Sequence, residues 1–153
     1  MRPIDRQPYS WRDDPAVPAF DETRMLVVLD GACGLCSATA RRIARLDRGD
    51  AVRLCTAQSA LGQGLLAHFG LDPEDPDTWL LIRDGRAQGS LDAAATLFPL
   101  LHRAFVPLRL LHLLPRRVQD WLYARVARNR YRLFGGGDLC GLPDAEVRRR
   151  LVG

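Results

Sequence analysis

Lysine is absent from the chain: all 22 of its basic residues are arginine. That bias reads first as genome composition, but it also removes lysine Schiff bases and Walker-type phosphate lysines from consideration. No apolar run reaches the roughly 18 residues needed to cross a bilayer. The most apolar stretch, 97–114, is broken by Pro99, His102, Arg103, Pro107, Arg109 and His112. The first twenty residues are polar and proline-rich and hold no apolar signal core, so a cytoplasmic location is expected. Internal repeats are lacking. The three histidines, His68, His102 and His112, do not have the spacing of metal ligands and are expected to be structural or exposed.

What is present amounts to one domain: 153 residues, 47% hydrophobic, enough for a core without covalent staples. Residues 1–23, with Pro3, Pro8, Pro15 and Pro18, read as an extended arm that Tyr9, Trp11 and Phe20 are suited to anchor. Residues 24–153 read as a single domain with a helical C-terminal extension from about 102. The charge is lopsided. Residues 1–100 carry eleven arginines against fourteen acids, whereas residues 101–153 carry eleven against four, a net +7. That basic tail suits an acidic partner or peripheral contact with a membrane surface, and nucleic acid is not an expected partner. The plainer account is a solvated helix face with arginine stems lying on apolar neighbours.

Hydrophobic patterning predicts strands at 25–29, 51–55, 78–82 and 86–89, the last two joined by a hairpin turn at Asp84-Gly85. Helices are predicted at 33–47, with Gly49 as a stop, at 59–69, with Ser59 as N-cap and Gly70 as terminator, and at 92–101. The order is β-α-β-α-β-β-α. The first two strands, joined by a helix, are expected to be parallel and the hairpin pair antiparallel, an α/β arrangement of the thioredoxin-like kind. Residues 102–134 are expected to form two further helices, with Pro107 and Pro115 in their first turns, ended by Gly135-Gly136-Gly137. Pro143 and Asp144 are placed to open a last short turn.

Asp30-Gly31-Ala32-Cys33-Gly34-Leu35-Cys36 is the informative stretch. A CxxC that follows a strand and opens a helix is a far stronger signal than the motif alone. The unpaired N–H groups of a first helical turn favour an anion, so Cys33 is the expected nucleophile. Cys36, one turn on, is the expected resolving thiol, and Gly34 eases the tight ring between them. Asp30 is either a proton carrier for the pair, nearer Cys36 than Cys33, or a turn-capping residue. Cys55 is expected to be a buried small hydrophobe, and Cys140 either a plain loop cysteine or a further redox thiol; a four-thiolate zinc site is disfavoured because only one cysteine pair is close in sequence.

These residues resemble the DCC family of thiol–disulfide oxidoreductases. The resemblance rests on the D-G-x-C-x-x-C of Asp30–Cys36, on Gln58-Ser59 after the second strand, and on residues 126–135 followed by Asp138-Leu139-Cys140 and Leu142-Pro143. It implies a thioredoxin-like domain with a redox-active Cys33–Cys36 disulfide and no other cofactor. It also implies roles for Asp30, Asn129, Arg130, Tyr131 and Cys140, and Gly31 is a supporting candidate. From the residues themselves, either Arg130 or Tyr131 packs beside the active-site face or the block is a helix terminus docked on the sheet. Ala32 stands where thioredoxins carry tryptophan, and the place of their cis-proline falls on Asp77, next to Thr78. The expected partners are a protein or small-molecule disulfide or thiol and a second redox protein. The competing readings are a binding module that docks on a membrane protein or acidic partner through its basic helices, and a thiolate metal carrier.

Overall fold

Five consecutive apolar residues make the central strand. β1 (Met25–Leu29) is buried on both faces, with Leu26 and Val28 in one core and Val27 and Leu29 in the other. The computed structural model, which describes residues 4, 6–74, 78–136 and 144–153, surrounds β1 with a four-stranded sheet in the order β2-β1-β3-β4. β2 (Val52–Thr56) runs parallel to β1, so the α1 crossover (Gly34–Leu46) behaves as expected. β3 (Leu80–Arg83) pairs antiparallel with β1, and β4 (Arg86–Gly89) antiparallel with β3. Asp84 and Gly85 both take positive φ, 49° and 77°, as a tight hairpin requires. The fold is thioredoxin-like α/β.

α1 contributes Ala40, Ile43 and Ala44 to one side of the sheet, where α3 (Ser90–Leu101) adds Ala93 and Leu97, and α5 (Ala145–Arg150) adds Val147. The other side is covered by Leu61, Leu65 and Leu66 of α2 (Ala60–His68). Gly62 and Gly64 weaken α2 as an isolated helix but let it lie close. A Cβ at either would stand 2.0 Å from the Thr56 carbonyl oxygen or 2.3 Å from that of Ala16. The N-terminal segment packs on this same side. Trp11 is buried against Phe20 and Phe69, and its indole N–H donates to Glu22 at 2.8 Å. His68 ties the segment to α2 through Asp14 (2.7 Å) and Ser10 (2.9 Å), a structural role.

Three boundaries differ from the sequence reading. β3 begins at Leu80 because the Thr78 hydroxyl turns away from the ladder to accept the Ser90 N–H at 2.6 Å. That bond holds Ser90 at φ 57° and starts α3 two residues early. Residues Arg103–Leu113 form a 3₁₀ segment instead of an α-helix. Pro107 sits in its middle, where it has no N–H to give and would break an α-helical ladder. α4 (Arg116–Phe134) follows directly after Pro115, and Gly135, at φ 69°, ends it. Asp144 caps α5 by accepting from Glu146 and Val147. No helix among the described residues is long and apolar enough to cross a membrane.

Candidate active site

β1 and β2 are parallel with Leu29 opposite Thr56, so the residues just past their ends emerge together from one edge of the sheet. On β1 these are Asp30-Gly31-Ala32-Cys33; on β2 they are Ala57-Gln58. Gln58 bridges the two. Its Nε2 donates to Asp30 Oδ1 at 3.0 Å, while its Oε1 accepts the Gly31 N–H at 2.9 Å. A side chain at Gly31 would meet that Oε1 at 2.8 Å, so this position needs glycine for space. Asp30 also accepts the Ala32 N–H at 3.0 Å and is only 6% exposed. The Ala32 N–H and the Gln58 amide thus help to hold the buried carboxyl group in place.

Cys33 is the N-cap of α1, in extended backbone at φ −99°, ψ 124°. Its carbonyl accepts the Ser37 N–H at 3.0 Å, so the helix ladder starts here. The Cys33 side chain is fully buried, and the chain after α4 runs alongside it: Cys33 forms an antiparallel bridge with Gly136, and the Gly34 N–H donates to the Gly135 carbonyl at 3.2 Å. Cys36 is half-buried, and both cysteines are free thiols. The two thiols are near neighbours and interact. Burial pushes the Cys36 thiol up to about 12, with further contributions from the charge of an ionised Cys33 and the hydrogen bond between them. A backbone hydrogen bond from Asp30 opposes the shift, and the nearby Asp30 carboxylate adds to it.

Cys36 opens into a cavity of about 150 Å³. Its walls are mostly apolar: Leu29, Leu35, Trp79, Phe98 and, from α4, Tyr123 and Val126; Asp30, Thr39 and Thr78 supply the polar atoms. One thiol and one carboxyl group therefore face a small, mostly apolar recess. Such a place admits a disulfide or thiol carried on an apolar group and strengthens the electrostatics within it.

Among the residues expected at the site, Cys33, Cys36, Asp30, Gly31, Gly34 and Thr78 come together at this sheet edge. Arg130 and Tyr131 lie on the last turns of α4. Asn129 spends its amide within that helix, donating to the Arg125 carbonyl at 2.8 Å. Asp77, Cys140 and Pro143 fall outside the described residues. Cys55 stays in the sheet core, its sulfur 3.1 Å from the Ser59 hydroxyl. Among the described residues no group of three or more His, Cys, Asp or Glu is arranged to hold a metal ion. Trp79 carries no local motif that marks it as a site residue, and Gln58 stands out in the sequence only within the Gln58-Ser59 block. The parallel pairing of β1 and β2 places Gln58, and its bridging role becomes legible only once that register is known.

Removing the bridge is expected to show in stability. Gln58→Ala leaves the Gly31 N–H without its acceptor and takes one donor away from Asp30 Oδ1, at a cost of about 1–3 kcal/mol in urea unfolding. Gln58→Glu is expected to cost more, since it sets a second carboxylate against Asp30.

A family model described as DCC1-like thiol-disulfide oxidoreductase matches residues 27–136. An uncharacterized protein of Bacillus subtilis, YuxK, is 30% identical over 127 residues, 83% of this chain and 93% of the relative. A chloroplastic DCC family protein of Arabidopsis thaliana is 30% identical over 143 residues, 93% of this chain and 83% of the relative. No solved structure gives a significant match.

Proposed function

The chain belongs to the DCC1-like thiol-disulfide oxidoreductase family, and on that premise we propose that it exchanges disulfides through Cys33 as nucleophile and Cys36 as resolving thiol. The observation that carries this reading is the placing of the pair: Cys33 is the N-cap of α1, where the first N–H groups of a helix suit a nucleophilic sulfur, and Cys36 stands one turn on, beside Asp30 at the cavity. Burial pushes the Cys36 thiol up to about 12, in keeping with a thiol that acts second.

The cycle balances as follows. The Cys33 thiolate attacks one sulfur of a substrate disulfide; the S–S bond breaks, a Cys33–substrate disulfide forms, and the other half leaves as thiolate. The Cys36 thiol then gives its proton to the Asp30 carboxylate and attacks Cys33. The second half leaves as thiolate, and Asp30 returns the proton to a leaving group. The substrate gains two electrons and the pair closes as a Cys33–Cys36 disulfide. An external dithiol, from a separate redox protein or a small molecule, reopens it. Run in reverse, the same steps oxidise a dithiol. We place this exchange in the cytoplasm, where such dithiols are abundant. The apolar recess at Cys36 favours a substrate sulfur borne on an apolar group.

The test is alkylation by iodoacetamide as a function of pH, with the labelled cysteine read by peptide mapping. Cys33 is expected to be labelled ahead of Cys36 across neutral pH, and Cys36 only as the pH approaches its raised value. Prior oxidation is expected to protect both. Labelling of Cys36 first at pH 7 overturns the assignment.

A further inference from the structure

The segment from Leu100 to Val126 holds eight of the nine large hydrophobic side chains that stand exposed among the described residues. Leu113 is 79% exposed, Leu110 64% and Trp121 58%. On α4, Val118, Trp121, Leu122 and Val126 follow the three- and four-residue spacing of one helix face. Gln119 fastens that face to the 3₁₀ segment by donating to the Leu111 and Leu114 carbonyls at 2.9 and 3.0 Å. An apolar cleft of about 420 Å³ opens among Phe105, Leu108, Leu111 and Leu114. A surface this apolar is not explained by solvation alone.

Its charge decides what covers it. Between residues 102 and 136 the chain has eight arginines and a single acid, Asp120. Arg103, Arg109, Arg117, Arg125 and Arg128 are exposed, and Arg125 lies over the Trp121 ring at 5.5 Å from its centroid. A second copy of the chain would bring arginine against arginine across a two-fold contact, which disfavours self-association. An anionic lipid surface matches both halves of the pattern: negative headgroups for the arginines, and the acyl boundary beneath them for the leucines and the tryptophan. Trp and Arg at one level are what a membrane interface accepts.

We propose that the 3₁₀ segment and α4 form a docking face for anionic lipid membranes, lying in the interface without spanning it. Val126 belongs both to this face and to the wall of the Cys36 cavity, so a docked chain holds the mouth of that cavity at the lipid. The face stands independently of the redox assignment, since none of its exposed residues takes part in the exchange.

The test is co-sedimentation of the full chain with vesicles of phosphatidylcholine alone or mixed equally with phosphatidylglycerol. Binding is expected only to the mixed vesicles, weakening as salt rises. Arg109→Gln, Arg117→Gln and Arg125→Gln combined are expected to reduce partitioning by roughly 100-fold, at about a factor of five for each charge. Leu110→Gln with Leu113→Gln is expected to reduce it by at least about tenfold. All five positions are exposed, so thermal melts report whether folding is kept. The proposal is overturned if the folded wild type ignores anionic vesicles at low salt, or if both variants bind as wild type does. It is also overturned if sedimentation equilibrium shows a dimer that the leucine variant dissolves.

Discussion

Cys36→Ala is expected to halt turnover with half of the substrate disulfide still attached to Cys33. Without the resolving thiol the first exchange proceeds and the second has no nucleophile, so an aromatic disulfide reagent should release one equivalent of thiolate and stop. The intact mass then rises by the other half, and dithiothreitol reverses it. Cys33→Ala is expected to remove the first exchange as well, because burial, the largest cause of the raised Cys36 thiol, persists when the Cys33 contributions are gone and keeps Cys36 mainly protonated at neutral pH. Steady-state turnover should fall by on the order of 10³-fold or more in both, since residues acting as one unit are lost together. The two variants differ in the trapped adduct. An adduct on Cys36 in the Cys33→Ala chain, formed at the wild-type rate, would reverse the roles.

Access to Cys33 shapes the rate of that first step. Its side chain is fully buried, and the chain at Gly135–Gly136 lies over it. Among the described residues the contacts there are the hydrogen bond from the Gly34 N–H to the Gly135 carbonyl and the Cys33–Gly136 bridge, both made by glycines just past the end of α4. Breaking one such hydrogen bond costs on the order of 1–3 kcal/mol, a pre-equilibrium of roughly five- to 150-fold. The exchange rate of Cys33 in the folded chain is therefore the product of a reactive thiolate and a small open fraction. The same arrangement shields the thiolate from chance oxidants between encounters.

The CxxC and the strand-turn-helix around it were legible because local signals mark them: a β-branched apolar run, an Asp-Gly turn, and a helical period beginning at the first cysteine. The alternation of β1 into two cores follows from its five apolar residues, and the Ser59 and Asp144 caps follow from side-chain chemistry. The 3₁₀ winding of Arg103–Leu113 was not legible, since an apolar stretch with a mid-run proline satisfies a helix starting at that proline equally well. Nor was the cover over Cys33. It joins residues about one hundred positions apart, and only tertiary packing brings Gly136 to the start of α1. Gln58 illustrates the middle case. It was visible as part of a family block, yet its work of holding Asp30 and Gly31 depends on the β1–β2 register.

Arg150→Ala is expected to be the most destabilising single substitution of an arginine in this chain. Arg148, Arg149 and Arg150 are consecutive, but only Arg150 is buried, at 2% exposure. Its guanidinium donates to the Asp47 carbonyl at 2.8 Å and to Glu146 Oε2 at 2.7 Å, and its Nε stands 3.5 Å from Asp47 Oδ2. Asp47 in turn accepts the Ala51 and Val52 N–H groups, each at 3.0 Å, and so fixes the turn from α1 into β2. Removing the guanidinium leaves the buried Asp47 carboxylate without its cation, at about 3–5 kcal/mol. For a chain of this length that is a fall of roughly 6–20 °C in Tm. Arg148→Ala, on the exposed side of the same short helix, should stay within about 0.5 kcal/mol of wild type. Both are read by urea unfolding and by thermal melts. Because α5 packs on α1, whose first turn carries both thiols, the Arg150 variant should also label Cys33 faster at temperatures where it remains folded. Equal melting points for the two alanine variants would mean that solvent, not Arg150, neutralises Asp47.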